Sequence, residues 1–382
     1  MMQKIKPLRL EKYRIYPAFI LVIIIFVLLQ GCLSTGPQLV IIGYVGGYKG
    51  LVNTNLIAAT KLTYIDYAFA DIKNNRALLR WERTDTVNLR NLNLLKKQNA
   101  ALKVLISIGG WTWSRNFSDA VLTDTSRQAF AGSAVDIIKK YDLDGIDIDW
   151  EYPGRPGFEG NIYRPQDKQN YTLMFKELRK QMDTLARQTG KKYLLTTAAG
   201  AFKSFLDNTQ MDKAQQYLDF INLMTYDYSG GRIASHHTAL YASKFYKAQN
   251  NADNAVKLFI AAGVPANKLI IGMAFYGKIS LLTPGAKGLG DSVVAFRKNI
   301  GYSVIKDSIL NVAEFKHYRD RRAKAPYVYN PKTREFITYD DEWSVKNKCE
   351  YARSKKLGGV MFWEYAEDPK GYLLNETNKI LR

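Results

Sequence analysis

Two cysteines and three histidines are few for 382 residues, and where they stand narrows the chemistry further. Cys349 follows Trp343 and Val345 in a segment of helical spacing. No internal disulfide framework is expected, and Cys349 reads as a small buried apolar residue rather than a nucleophile. His236, His237 and His317 supply no metal-ligand set and no Ser-His-Asp arrangement, so neither a metal nor another cofactor is expected. No glycine-rich phosphate turn follows the first strand-like run, which weighs against a dinucleotide-binding doubly wound sheet, the alternative architecture. Acidic residues are outnumbered, 35 against 55 basic ones, for a formal net charge of +20. Those basic residues are scattered, without an aromatic-interleaved groove. Nucleic acid is therefore not an expected partner, whereas a solvated cationic surface that can rest on anionic envelope or wall polymers is.

Long apolar runs are missing too, with one exception. Ala18 to Leu29 is apolar and follows Lys4, Lys6, Arg9, Lys12 and Arg14. It is short for a membrane span of ~20 residues and fits the core of an export signal. Its end, Leu29-Gln30-Gly31-Cys32, resembles the lipobox of bacterial lipoproteins. That resemblance implies a signal peptide over residues 1–31, lipidation of Cys32, a tether over 32–38, and a protein exported across the inner membrane and held in the cell envelope by its lipid. An uncleaved membrane anchor is the alternative. Loss of the signal removes five basic residues and one acid, leaving a net charge of about +16.

What the chain does have is an acid ladder. Asp144-Gly145-Ile146-Asp147-Ile148-Asp149-Trp150-Glu151-Tyr152 sets Asp147, Asp149 and Glu151 at every second position, with Ile146, Ile148 and Trp150 between them. On a strand the three carboxylates share one face and the apolar residues the other, free to pack on helices. Inward-facing acids repel one another and resist desolvation, so a strand selected for packing alone would not carry them. Asp144 has the opposite parity and reads as structural, near the strand start.

Strand-like runs recur at Leu39 to Tyr44, Leu62 to Ala70, Leu102 to Ile108, Gly145 to Trp150, Tyr193 to Ala198, Phe220 to Tyr226, Leu269 to Phe275 and Gly359 to Trp363, separated by longer helical segments. Eight such units predict an α/β fold of the (β/α)8 TIM-barrel type over residues 39–382, with chemistry at the C-terminal strand ends. The gap between the seventh and eighth runs is long. Tyr327 to Asn330 and Glu335 to Tyr339 read there as a hairpin, so an α+β insertion is expected at about 278–339 between strands 7 and 8. The barrel and insertion use up the chain, and no separate carbohydrate-binding module is expected.

Asp144, Asp147, Asp149 and Glu151 match the DxxDxDxE signature of glycoside hydrolase family 18, the chitinase family. Ser107-Ile108-Gly109-Gly110 is similar to its SxGG motif, Met224-Thr225-Tyr226-Asp227 to its MxYD motif, and Gly359 to Glu364 to its last strand. The resemblance implies retaining hydrolysis of β-1,4 bonds between N-acetylglucosamine units of chitin or its oligosaccharides, with the substrate's own acetamido oxygen as nucleophile. It gives Glu151 the part of general acid and base, and Asp149 that of stabilising the charged intermediate. Asp147 shares a proton with Asp149, and Tyr226 orients the acetamido group. Trp363 is expected under the cleaved sugar, with Trp111, Trp113, Tyr48, Phe69 and Tyr276 as stacking surfaces. Asp227, Met224, Tyr152 and Gly110, from the same motifs, complete the expected substrate-binding set. The sequence departs from many relatives after Tyr228, where Ser229-Gly230-Gly231-Arg232 replaces a tryptophan-bearing turn. Two other functions fit the signature, an endo-β-N-acetylglucosaminidase acting on N-glycan cores and a non-catalytic glycan-binding lipoprotein; the retained Glu151 weighs against the latter. A monomer is expected.

Overall fold

The computed structural model describes residues 38–248 and 250–382. The expected signal, lipobox and Cys32 lie outside the described residues. Among those described, no helix is long and apolar enough to cross a membrane.

The chain runs β1 (Val40–Gly46), β2 (Tyr64–Lys73), β3 (Arg76–Leu78), β4 (Lys103–Gly109), β5 (Gly145–Asp149), β6 (Leu194–Gly200), β7 (Phe220–Met224) and β8 (Leu269–Ala274), and returns to the barrel only at β14 (Gly359–Trp363). The parallel order β1-β14-β8-β7-β6-β5-β4-β2 is closed by a β1–β2 pairing, which makes an eight-stranded (β/α)8 barrel. All eight strand-like runs of the sequence are barrel strands. The short β3 is an extra antiparallel partner for the end of β2. Two ends differ from expectation: β5 stops at Asp149 and β7 at Met224, so Glu151, Tyr226 and Asp227 sit on the turns just above the barrel.

Helices cover the outside, among them Glu82–Leu94, Asp124–Tyr141, Asp167–Thr189, Ala252–Ala261 and Glu342–Ser354. The helix after β4 is started by Thr123, whose hydroxyl caps Ser126 N–H while Ser126 caps Thr123 in return. The alternation in β5 divides as its period requires. Ile146 and Ile148 are buried outward against the helices, and beyond the strand end Trp150 stacks on Phe117 with ring centroids 5.1 Å apart. That apolar grip fixes the strand so that its other face can hold acid. Asp144 lies at the foot of the strand, its Oδ2 accepting Val104 N–H at 2.8 Å and pairing with Lys96.

Between β8 and β14 the chain builds a second sheet from β9 (Tyr276–Leu282), β10 (Val293–Gly301), β11 (Lys316–Asp320), β12 (Ala325–Asn330) and β13 (Glu335–Thr338), ordered β10-β9-β13-β12-β11 and antiparallel throughout. With the helix Tyr302–Asp307 it forms the α+β insertion. Asp340 ties its end to the barrel: this buried carboxylate accepts Ala274 N–H at 3.1 Å and pairs with buried Lys348 at 2.6 Å.

Candidate active site

The strand mouths open into a cleft of 1320 Å³ lined by Glu151, Asp149, Tyr226, Asp227, Met224 and Trp363, with Tyr48, Phe69, Trp111, Trp113 and Tyr152 along its walls. Trp363, at the end of β14, lies nearly parallel to Phe69 (centroids 5.5 Å, 19°) and to Tyr48 (6.4 Å, 9°). Trp111 meets Tyr152 edge to face at 6.2 Å. Aromatic faces of this kind suit the apolar faces of sugar rings.

Beneath the cleft the acids occupy distinct environments. Asp147 is fully buried, and its carboxylate is wrapped by donors: Thr196 Oγ1 at 2.6 Å, Ser107 Oγ at 2.7 Å and Tyr44 hydroxyl at 3.0 Å. Burial raises its pKa, and these hydrogen bonds oppose the rise. Asp149 is buried with Oδ1 unpartnered, and burial, the Glu151 charge and the Asp147 charge all push its pKa up. The donors around Asp147 favour its carboxylate form, while Asp149, which has none among the described residues, is the better place for a proton shared by such a pair. Glu151 stands at the rim. Burial lifts its carboxyl to about 7, against a hydrogen bond from Tyr152 that lowers it and in concert with the Asp227 charge. An acid at that value is half protonated near neutral pH, as a group that must both give and take a proton should be.

Tyr226 lines the cleft, and among the described residues the hydrogen-bond contact of its hydroxyl is a weak one, Met361 Sδ at 3.9 Å. Asp227, at φ +60°, is held from behind by Tyr276 hydroxyl (2.6 Å) and Lys278 Nζ (2.8 Å), with buried His237 3.7 Å away. Partial burial pushes the Asp227 carboxyl up, but His237 and Lys278 hold it below the usual carboxylate range.

Two expected substrate contacts lie elsewhere. Tyr276 is buried and is not among the residues that line the cleft; the chain bends at Phe275 to start β9, and the Tyr276 hydroxyl donates to Asp227 Oδ1 at 2.6 Å. Gly110 is a packing position, at φ +83°, where a Cβ would meet the Phe69 ring at 2.7 Å. Its N–H donates to Asp149 carbonyl oxygen at 2.7 Å, which anchors the end of β5. Sequence reasoning also passed over Tyr44, Thr196, Asn222 and Lys278, which surround the acids from four other strands, and Trp81, which extends the aromatic wall beyond Trp113 at 5.2 Å. Their signal is inward strand parity, which becomes meaningful only once register is known.

A closed barrel with a titrating acid at one strand mouth, two buried acids below it and an aromatic cleft above is the architecture of a glycoside hydrolase. The chain belongs to glycosyl hydrolases family 18, whose sequence model matches residues 40–368. It is similar to chitinase A1 of Niallia circulans, with 39% identity over 313 residues that make up 78% of this chain and 45% of that one. Among solved structures it is similar to the multi-modular, cell-surface-expressed chitinase ChiW of a Paenibacillus species, with a TM-score of 0.85, 37% identity and coverage of 90% of this chain and 33% of that one. It is also similar to a family 18 N-acetylglucosaminidase of Paenibacillus barengoltzii, with a TM-score of 0.81, 36% identity and coverage of 90% and 100%. The chain thus spans less than half the length of the first two.

Proposed function

We propose that this protein hydrolyses β-1,4 linkages between N-acetylglucosamine units of chitin or chito-oligosaccharides with retention of anomeric configuration, and that the substrate's acetamido oxygen is the nucleophile. The observation that supports this most is the order of acids along one strand: Asp147 wrapped by three hydroxyl donors, Asp149 buried with an unpartnered oxygen, and Glu151, its carboxyl raised to about 7, at the rim. Glu151 protonates the leaving glycosidic oxygen and then takes a proton from the incoming water. Tyr226, whose hydroxyl has so little else to bond, donates to the acetamido carbonyl and holds it at the anomeric carbon. Asp149 leaves its proton on Asp147, turns toward Glu151 and balances the positive charge that develops on the acetamido group. Trp363 supports the sugar at the point of cleavage, with Tyr48, Phe69, Trp111, Trp113 and Tyr152 as neighbouring surfaces. The protein works as a monomer, lipid-anchored through Cys32 in the bacterial envelope.

The test is hydrolysis of N-acetylated chito-oligosaccharides beside a high-mannose glycopeptide and fully deacetylated oligomers, with product anomers followed by NMR. Retained anomers from the acetylated oligomers alone are expected, and Glu151→Gln should lose at least ~10²-fold in rate while still binding. Inverted products, or equal cleavage of oligomers without acetyl groups, would end the proposal; glycopeptide cleavage alone would favour the endo-β-N-acetylglucosaminidase. For the anchor, Cys32→Ala should abolish lipid labelling and release the protein from the membrane fraction, and a variant still in the pellet would mean a plain anchor.

A further inference from the structure

Below the acids already described lies a fourth carboxyl that the reaction as set out leaves idle. Asp66 is an inward-facing residue of β2 and only 1% exposed. Its Oδ2 has one donor, Asn222 Nδ2, at a long 3.4 Å; its Oδ1 is buried with none. The same amide nitrogen is 3.5 Å from Asp147 Oδ1 and 2.9 Å from Tyr44 hydroxyl. Residues of β1, β2, β5 and β7 thus converge on one spot inside the barrel. Tyr44 also packs in the apolar cluster of Val40, Ile42, Ala68, Ile270 and Met361.

Hydrogen-bond accounting here comes out short of donors. Tyr44 has a single hydroxyl hydrogen, and it faces two carboxyls: its strand-pair neighbour Asp66 and, at 3.0 Å, Asp147. Given to Asp147, that hydrogen leaves Asp66 facing only the oxygen lone pairs of Tyr44. Asn222 Oδ1 is a further buried acceptor with no donor. Among the described residues, the ionisable groups facing Asp66 are Tyr44 from β1, Asp147 from β5 and Tyr64 from its own strand, and no cation is among them. A lone carboxylate in such a place is expensive, whereas a neutral carboxylic acid supplies the missing hydrogen.

We propose that Asp66 is a positioning residue that carries a standing proton and donates it to the Tyr44 oxygen, so that Asp66 O–H, Tyr44 O–H and Asp147 carboxylate form one directed chain beneath the catalytic pair. The inference rests on the reading of Asp147 and Asp149 as a proton-sharing pair. Its effect is to make Tyr44 a better donor and to hold the negative charge of the pair on Asp147. When Asp149 turns away and leaves its proton behind, that proton passes to Asp147; Asp66 keeps its own, and the column from Asp66 to Asp149 bears one negative charge before and after.

Two readouts test this on the full chain. Infrared difference spectra of wild type against Asp66→Asn should lose a C=O stretch in the neutral carboxylic acid region, well above the carboxylate bands. The acid limb of kcat/KM reports protonation of the catalytic pair. Asp66→Asn keeps a donor and should leave that limb within ~0.3 pH unit of wild type, whereas Asp66→Leu removes the donor, weakens the anion and should move the limb upward by ~0.5–1 unit. In a Tyr44→Phe background Asp66→Leu should add no shift, because the link is gone. A downward shift in Asp66→Asn, or no carboxylic acid band to lose, would show that Asp66 is a carboxylate and overturn the proposal. An unmoved limb in Asp66→Leu would reduce Asp66 to packing. If the acetamido mechanism itself fails, the infrared result still reports on Asp66.

Discussion

The protonation state of Glu151 should set the alkaline edge of activity, and its neighbours should move that edge in opposite directions. Burial raises this carboxyl from 4.5 to about 7, with the Asp227 charge adding to the rise and the Tyr152 hydrogen bond opposing it. Catalysis needs the acid form, so kcat/KM should be flat below about pH 7 on this limb and fall tenfold per unit above it, to roughly one hundredth at pH 9. Asp227→Asn removes a negative charge and leaves Lys278, now without its 2.8 Å partner, near the site. Both changes favour the carboxylate, and the limb should move to lower pH. Tyr152→Phe removes a hydrogen bond that steadies the carboxylate, so the limb should move to higher pH. One pH unit corresponds to 1.36 kcal/mol of differential stabilisation, and shifts of ~0.5–1 unit are the size expected of a single charge or hydrogen bond at a site closed on one side. Initial rates on chito-oligosaccharides from pH 4 to 10 measure all three profiles. A wild-type profile level from pH 6 to 9, or two variants that shift the same way, would show that Glu151 is not the group being titrated.

Gly109→Ala should disturb the reaction from behind: at φ +111° its Cβ would sit 2.2 Å from Asp149 carbonyl oxygen. A loss of more than ~1 kcal/mol in stability together with a tenfold or larger fall in kcat is expected, and an unchanged unfolding midpoint and rate would refute it. Lys348→Met should leave the buried Asp340 carboxylate without its 2.6 Å cation, at a cost of ~3–5 kcal/mol in denaturant unfolding at pH 7; a midpoint like that of wild type would mean that the pair is not what joins the insertion to the barrel.

The barrel was legible because each strand is a short β-branched or aromatic run between helical segments, and the acid ladder because its period of two survives in the linear chain. Tyr276 was not: it stands at the C-terminal end of a barrel strand as Tyr226 and Trp363 do, yet the chain leaves the barrel there for an antiparallel sheet, and its hydroxyl bonds Asp227 from behind. Gly110 belongs to a motif shared with the site but acts through its backbone, which residue type alone does not disclose. Asp66 was the hardest to see. One acid in the apolar run from Leu62 to Ala70 carries no pattern of its own, and its meaning comes from Asn222 and Asp147, 156 and 81 positions along the chain and adjacent only after barrel closure.

Holding acids inside a barrel sets function against stability, and Asp149 is where the conflict is measurable. Its folded-state pKa is raised well above 3.8 by burial and by two neighbouring carboxylates. A raised carboxyl leaves the fold unpenalised below the unfolded value, and the penalty then grows with pH until the folded pKa is reached. Asp149→Asn keeps the volume and removes the titration. The variant should therefore match wild type in unfolding free energy near pH 3.5 and exceed it at pH 7, while its turnover falls because charge stabilisation at the acetamido group is lost. Asp147→Asn should behave in the opposite sense, since an amide nitrogen would face Thr196, Ser107 and Tyr44, donors already committed to an anion. If Asp149→Asn is destabilised at pH 7 and Asp147→Asn is not, then the proton of the pair rests on Asp147, and the order of charges along the catalytic strand is the reverse of the one argued from its donors.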